Sequence, residues 1–147
     1  MGKTIVISLI SILTLHILGI GLDLYHIIWW YDIPMHILGG AWIAFVFVNL
    51  FCKKWRVVDY SRNKLMVLVA ILGSVALAGV FWEFYEYLSD VYLLKIHPLF
   101  YAPNPLILPD TLKDLLNDII GGLGTSLVFL FKKDKNNIQS GSSSPSA

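Results

Sequence analysis

Charge is scarce in this chain. Asp, Glu, Lys and Arg make up 14% of its 147 residues, against 56% hydrophobic residues, where a water-soluble domain carries about 25% charged residues. So few charges cannot cover a water-facing surface, which excludes a soluble domain and implies an integral membrane protein. Cysteine is nearly absent: the single Cys52 excludes an intrachain disulfide and is expected as a free thiol at a cytoplasmic helix end. The net charge is only +1, and no nucleic-acid partner is expected. Proline is absent from most of the chain, because four of its six residues, Pro98, Pro103, Pro105 and Pro109, crowd into one stretch. No helix or central strand tolerates that density, so this stretch reads as an ordered loop or lid, with Phe100 and Tyr101 able to dip into the membrane interface. Internal repeats are lacking.

What the chain does have is four apolar runs, at about residues 4–22, 33–52, 65–82 and 111–131, each near the ~20 residues that a spanning helix needs. The third keeps helical character to about residue 96. The first follows Lys3 as a signal peptide would, but no small-residue cleavage site succeeds it, so it reads as a retained helix. Length allows one compact domain over residues 1–135. The tail over 136–147 is low in complexity and reads as a disordered cytoplasmic segment. The expected fold is all-α: an up-and-down bundle of four transmembrane helices.

Basic residues orient it. Lys3, Lys53, Lys54, Arg56, Arg62, Lys64, Lys132, Lys133 and Lys135, nine of the eleven Lys and Arg, fall on one side, which the positive-inside rule makes cytoplasmic. Both termini are then cytoplasmic, in a cell membrane. Lys95 and Lys113 lie on the other side, as do eight of the ten acidic residues, all but Asp59 and Asp134. Tyr25, Trp29, Trp30 and Tyr31 in the first outer connection read as an interfacial aromatic belt.

Seven polar residues gather at the outer ends of the spans. An Asp costs roughly 2.5–3.5 kcal/mol at the centre of a spanning helix and less toward its ends. Asp32 and His36 are four apart on one helical face, with His36 about 6 Å deeper at 1.5 Å per residue; Asp32 also suits an N-cap. Gly39 and Gly40 beside His36 admit a close neighbour. Glu83 and Glu86 share a face of the third span. Below them Ala70, Ser74 and Ala78 form a small-residue stripe that reads as packing surface. Asp110, Asp114 and Asp118 are strictly four apart and descend about 12 Å into the fourth span, ahead of Gly121, Gly122 and Gly124. Thr111 and Asp114 match a capping box, which together with the helix dipole accounts for Asp110 and Asp114 but not Asp118. Lys113 points about 100° away from Asp114 and reads as a poor counter-ion. His16 reads as a packing histidine, and His26 and His97 as solvated loop residues.

The set Asp32-x-x-x-His36 with Gly39-Gly40, Trp82-Glu83-x-x-Glu86, and Asp110-Thr111-x-x-Asp114-x-x-x-Asp118 with Gly121 resembles the YjdF-like bacterial and archaeal inner-membrane proteins. More distantly it resembles the VanZ-like proteins, which pair an early Asp/His helix with a late acidic one and are associated with glycopeptide resistance. The resemblance covers about residues 30 to 125 and implies that the polar set acts as a unit.

Six carboxylates and an imidazole in one partly dry volume cannot all stay charged unaided. Their donor types suit a divalent ion, Mg²⁺, Mn²⁺, Fe²⁺ or Zn²⁺, with His36, Glu83, Asp110, Asp114 and Asp118 as ligands. The expected function is a metal-dependent hydrolase or transferase acting on a lipid or cell-envelope substrate, with Glu86 or Asp32 as general base. Two alternatives stand beside it: an accessory subunit whose polar residues only fix packing, and an ion or proton carrier. Membrane lipids are the expected partners, and the oligomeric state is left open.

Overall fold

A chain crossing hydrocarbon must satisfy every peptide group within itself, and a helix does this segment by segment. The computed structural model describes residues 2–59, 63–89, 92 and 107–141; 89% is helical, with no strand among the described residues. Helix α1 is Gly2–Gly21, the single turn α2 is Leu24–Ile27, α3 is Asp32–Phe47, α4 is Lys64–Leu88 and α5 is Ile107–Gly141. Four segments are long and apolar enough to span: Gly2–Gly21, Asp32–Lys54, Lys64–Leu88 and Leu108–Phe131.

Two of these helices have local features that the sequence explains. Helix α4 opens on Asn63, whose side chain accepts a 3.1 Å hydrogen bond from the Met66 N–H, an ordinary N-cap. Helix α3 runs on as π-helical turns over Val48–Lys54. There the Asn49 side-chain amide donates to the Phe45 carbonyl at 2.7 Å and competes for an acceptor that the α-helical ladder would use.

Helices α3, α4 and α5 form the core. Ala44, Val48 and Cys52 of the α3 segment pack with Val67, Ile71 and Val75 of α4, and Ile119 and Phe129 of α5 lie against them. The α3–α5 crossing is close because it is made by glycines: a Cβ on Gly40 would run into the Asp118 backbone, and one on Gly121 into the Ile37 carbonyl. Bare backbones at a crossing are the usual route to tight packing in lipid.

Helix α1 lies outside this core. It leans on α3 and hardly touches α4 or α5. The Trp42 indole N–H reaches the Ser8 hydroxyl at 3.1 Å and the Ile5 carbonyl at 3.3 Å, and the Tyr31 hydroxyl donates to the Leu15 carbonyl at 2.9 Å. The rest of its surface, including Val6, Ile7, Ile10 and Ile17, is exposed and apolar, as a lipid-facing helix should be.

Several expectations change. Helix α5 starts at Ile107, not after Pro109, because a proline in the first turn lacks only an N–H that would be unpaired there anyway. Thr111 and Asp114 are therefore inside the helix and form no capping box. Asp32 is the first helical residue of α3, and the cap position is Tyr31, with no side-chain cap bond. The packing line of α4 is Val67, Ile71, Val75 and Gly79, one residue round from the expected stripe; Ala70 is exposed and Ala78 half-buried. Gly124 meets no neighbour within 4 Å, unlike Gly121 and Gly122. Helix α5 also continues past Phe131 to Gly141, into the segment expected as tail. Arg62, Lys95, Ile96, His97, Pro98, Phe100, Tyr101, Pro103, Pro105 and residues 142–147 lie outside the described residues, and so do the proposed lid and the end of the third span's extension.

Candidate functional site

The N-terminal ends of α3 and α5 and the C-terminal end of α4 bring the polar residues into one cluster around His36, which is 4% exposed. Its Nε2 lies 3.3 Å from Asp32 Oδ1 and 4.0 Å from Asp114 Oδ1, and its Nδ1 lies 3.5 Å from Asp118 Oδ1. The α-helical period sets this up. Asp32 sits one turn above His36 on the same helix, and Asp114 and Asp118 sit one turn apart on the facing helix. The Gly40–Asp118 crossing then brings the two helices close enough for the side chains to meet.

Asp32 thus turns toward the imidazole instead of capping its helix. Asp114 is 3% exposed, deep in the bundle. The bland reading of both residues is overturned, for one reason: each is engaged across the α3–α5 interface, where a cap would face back along its own helix. Asp110 is more peripheral, with 64% of its side chain exposed, and pairs with Lys113.

Lys113 corrects a further expectation. Its Nζ reaches Asp110 Oδ1 at 2.6 Å, Asp114 Oδ1 at 3.4 Å and Asp32 Oδ2 at 3.7 Å. The helical-wheel angle concerns the Cα–Cβ bond. Four methylenes beyond it let the ammonium swing back over the acidic face, and Asp110 is its i−3 neighbour.

Three sets of donor atoms lie within 4.8 Å of one another: Asp32, His36 and Glu86; His36, Glu83 and Asp114; and Asp32, Asp110 and Asp114. A cation about 2.4 Å from each of two oxygens spans about 4.8 Å between them. His36, Asp32 and Asp114 each belong to two of the sets. Asp118 belongs to none and sits instead on the other ring nitrogen. In that place a carboxylate fixes the ring's tautomer and orientation.

Buried polar atoms are left over. Glu83 Oε1, Asp114 Oδ1, Asp118 Oδ2, Asn117 Nδ2 and His16 Nε2 have no hydrogen-bond partner among the described residues. An unsatisfied buried polar group costs about 1–3 kcal/mol, more when charged.

Sequence reasoning placed two of the site's residues, His16 and Tyr25, elsewhere. His16 of α1 is buried beside the cluster, 2.7 Å from the Tyr25 hydroxyl through Nδ1 and edge-on to the Trp82 ring at 5.0 Å. Trp82 donates its indole N–H to Glu86 Oε1 at 2.9 Å. Tyr25, assigned to the aromatic belt, belongs to this group. Burial foremost, then the charges of Asp32 and Glu86, push its phenol above its ordinary value, so it stays a hydrogen-bond donor. The one available signal was that His16 lies in the outer half of its span, level with the other polar residues. His26 pairs with Asp23 at 2.6 Å in the open and takes no part.

Beneath the polar group is a cavity of about 160 Å³, with walls from α1, α3, α4 and α5. The opposite half of the bundle holds no comparable cluster among the described residues. Ser74 and Ser126 each donate to the carbonyl one turn back, as the Asn49 amide does, at 2.9, 2.7 and 2.7 Å.

Among known proteins, an uncharacterized protein of Thermotoga maritima is 33% identical over 105 residues, which is 71% of this chain and 50% of that relative. The chain therefore spans about half the length of the curated relative that it matches. No solved structure matches it. The family described as "Predicted membrane protein (DUF2238)" matches residues 1–135, and the chain belongs to that family.

Proposed function

We propose that the outer cluster binds a divalent cation and that the chain is a membrane enzyme, a hydrolase or transferase for a lipid or cell-envelope substrate. One observation carries this reading. His36 Nε2 faces Asp32 and Asp114 while Asp118 backs the ring at Nδ1, and Glu83 Oε1 stands buried without a hydrogen bond. An oxygen-rich set with one imidazole suits Mg²⁺, Mn²⁺, Fe²⁺ or Zn²⁺. Such an ion supplies polarisation of a phosphoryl or acyl oxygen. Within the chain's own residues, Asp118 orients His36. Glu86, steadied by the Trp82 indole, is the general base, with Asp32 as the second candidate. The YjdF-like and VanZ-like resemblance agrees with an envelope role, and we read the basic face as cytoplasmic, with both termini there, in the cell membrane.

Elemental analysis of the purified chain tests this. Wild type should carry stoichiometric metal, and Asp114→Asn should lose most of it. Folded wild type without metal, after purification in buffers free of chelator, would sink the proposal.

Lys113 favours a second reading. Its ammonium already offsets part of the acidic charge, as a purely structural polar lock would require. That reading predicts that His36→Ala and Asp118→Asn lose the fold together and that metal never appears. A proton carrier has less support, since the inner polar side chains Asn49, Ser74 and Ser126 bond within their own helices.

A further inference from the structure

The cavity beneath the cluster has two kinds of wall. Leu9, Ile12 and Leu13 of α1, Trp42 and Ile43 of α3 and Val75 of α4 make its lower part apolar. His16, Asp32, His36, Glu86 and Asp118 make its upper part polar. It lies between α4 and α1, which packs mainly on α3 and meets α4 at the His16–Trp82 ring contact.

Two of the orphaned atoms belong to residues that line it. His16 is 8% exposed and Asp118 is 6% exposed, and His16 Nε2 and Asp118 Oδ2 lack partners. Where the Tyr25 hydroxyl is the donor in its 2.7 Å contact with His16 Nδ1, a neutral ring carries its proton on Nε2, which then seeks an acceptor; in the other tautomer Nε2 seeks a donor, and a hydroxyl meets either need. Asp118 Oδ2 seeks a donor; it points at the bare Cα of Gly79, where a Cβ would come within 2.5 Å of it.

The chemistry of the walls selects a head group. Asp118, which belongs to none of the cation sets, would meet a carboxylate or bare phosphate as a like charge. An ammonium only donates, and leaves a protonated His16 Nε2 unsatisfied. An ester carbonyl only accepts, and leaves Asp118 unsatisfied. A hydroxyl does both. The size fits a chain end: an apolar cavity of about 150 Å³ holds a benzene-sized group, so about 160 Å³ takes the head-proximal carbons, and the remaining chain lies out between α1 and α4.

We propose that this cavity seats a long-chain membrane lipid bearing a free hydroxyl, with its chain between α1 and α4 and its hydroxyl among His16, Asp118 and Glu86. This deepens the proposed function by naming the substrate class, a membrane alcohol, and it rests on that reading for its chemistry.

The test uses the full chain in nanodiscs and a long-chain alcohol carrying a diazirine in its alkyl chain, alongside the matched methyl ether and the matched alkylammonium. Labelled peptides are mapped by mass spectrometry, with excess unreactive alcohol as competitor, since surface labelling by bulk lipid does not compete. Competable labelling should fall on Leu9, Leu13 and Ala78. It should favour the alcohol over the ether by about tenfold, the weight of one hydrogen bond to a charged group. Ala78→Phe fills the cavity from α4 and Ile12→Trp fills it from the outer helix; either should abolish the competable labelling. His16→Phe removes a partner that alcohol and ether share, so it should weaken both and leave the preference, whereas Asp118→Leu should keep the labelling and lose the preference for the alcohol. Absence of competable labelling, which would mean a cavity holding water only, overturns the proposal. So does equal labelling by alcohol and ether in wild type, preference for the alkylammonium, or labelling indifferent to both filling variants. Metal content measured on the same samples keeps the two ideas apart: metal-free protein that still shows competable labelling ends the cation reading alone.

Discussion

The α3–α5 crossing can be tested with four glycines. Replacing Gly40 by Ala puts a methyl 2.7 Å from Asp118 Cα and 2.6 Å from its carbonyl carbon, where carbon atoms prefer about 3.5–4.0 Å. The obstacle is backbone, so no rotamer relieves it and the helices must part by about 1 Å. Overpacking costs about 1–3 kcal/mol, and an immovable neighbour places Gly40→Ala at the upper end. Ala gains back about 1 kcal/mol over Gly in helix propensity, for a net loss of about 2 kcal/mol. Gly121→Ala, against the Ile37 carbonyl, should behave alike. Gly73 and Gly124 meet nothing within 4 Å, so Ala at either should be neutral or stabilising by up to about 1 kcal/mol. Unfolding in mixed micelles of dodecyl sulfate and a mild detergent measures all four. The same 1 Å would pull Asp118 from His36 Nδ1, now 3.5 Å away, so Gly40→Ala should also weaken any cation binding. If Gly40→Ala and Gly124→Ala prove equally stable, the crossing is not as described and the placement of Asp118 beside His36 fails with it.

Lys113→Met removes the cation nearest Asp110, Asp114 and Asp32. Its side chain is 39% exposed, so the loss should be screened to about 0.5–1 kcal/mol. Added Mn²⁺ or Mg²⁺ should restore the melting temperature if the cluster takes a cation, and a metal-insensitive loss would favour the structural lock. For orientation, Lys54→Cys should react with a membrane-impermeant thiol reagent in inverted vesicles and not in intact cells, while Cys52, 3% exposed, stays silent; labelling in intact cells would reverse the assigned topology.

The spans were legible because hydrocarbon demands about 20 apolar residues whatever the fold. The helix ends were not. An acidic residue before an apolar run looks the same whether it caps its own helix or reaches across to another, and only the crossing at Gly40 and Gly121 decides between these for Asp32 and Asp114. Lys113 was misjudged because a helical wheel locates Cβ and not the end of a long side chain. The α4 packing line was offset because small and large apolar residues both suit a membrane interface, so Ala70, Ser74 and Ala78 carried no more information than Val67, Ile71 and Val75. His16 stood alone on its helix. Its relation to Tyr25 and Trp82 depends on how α1 leans against α3, which is a tertiary fact without a local pattern.

The two halves of the bundle obey different rules, and this separates packing from function. In the half away from the cluster, Asn49, Ser74 and Ser126 each bond a carbonyl one turn back, so each polar group is satisfied within its own helix. A polar lock at the cluster's end would need the same economy, since a partly satisfied buried network is worse than an apolar one. Instead buried polar atoms without hydrogen bonds among the described residues, on His16, Glu83, Asn117 and Asp118, lie at that end, two of them on residues that line the cavity. Replacing them with apolar residues of like shape would pack more cheaply. Their arrangement therefore points to ligands outside the chain: a cation for the oxygens that face His36, and a hydroxyl for the pair at the cavity.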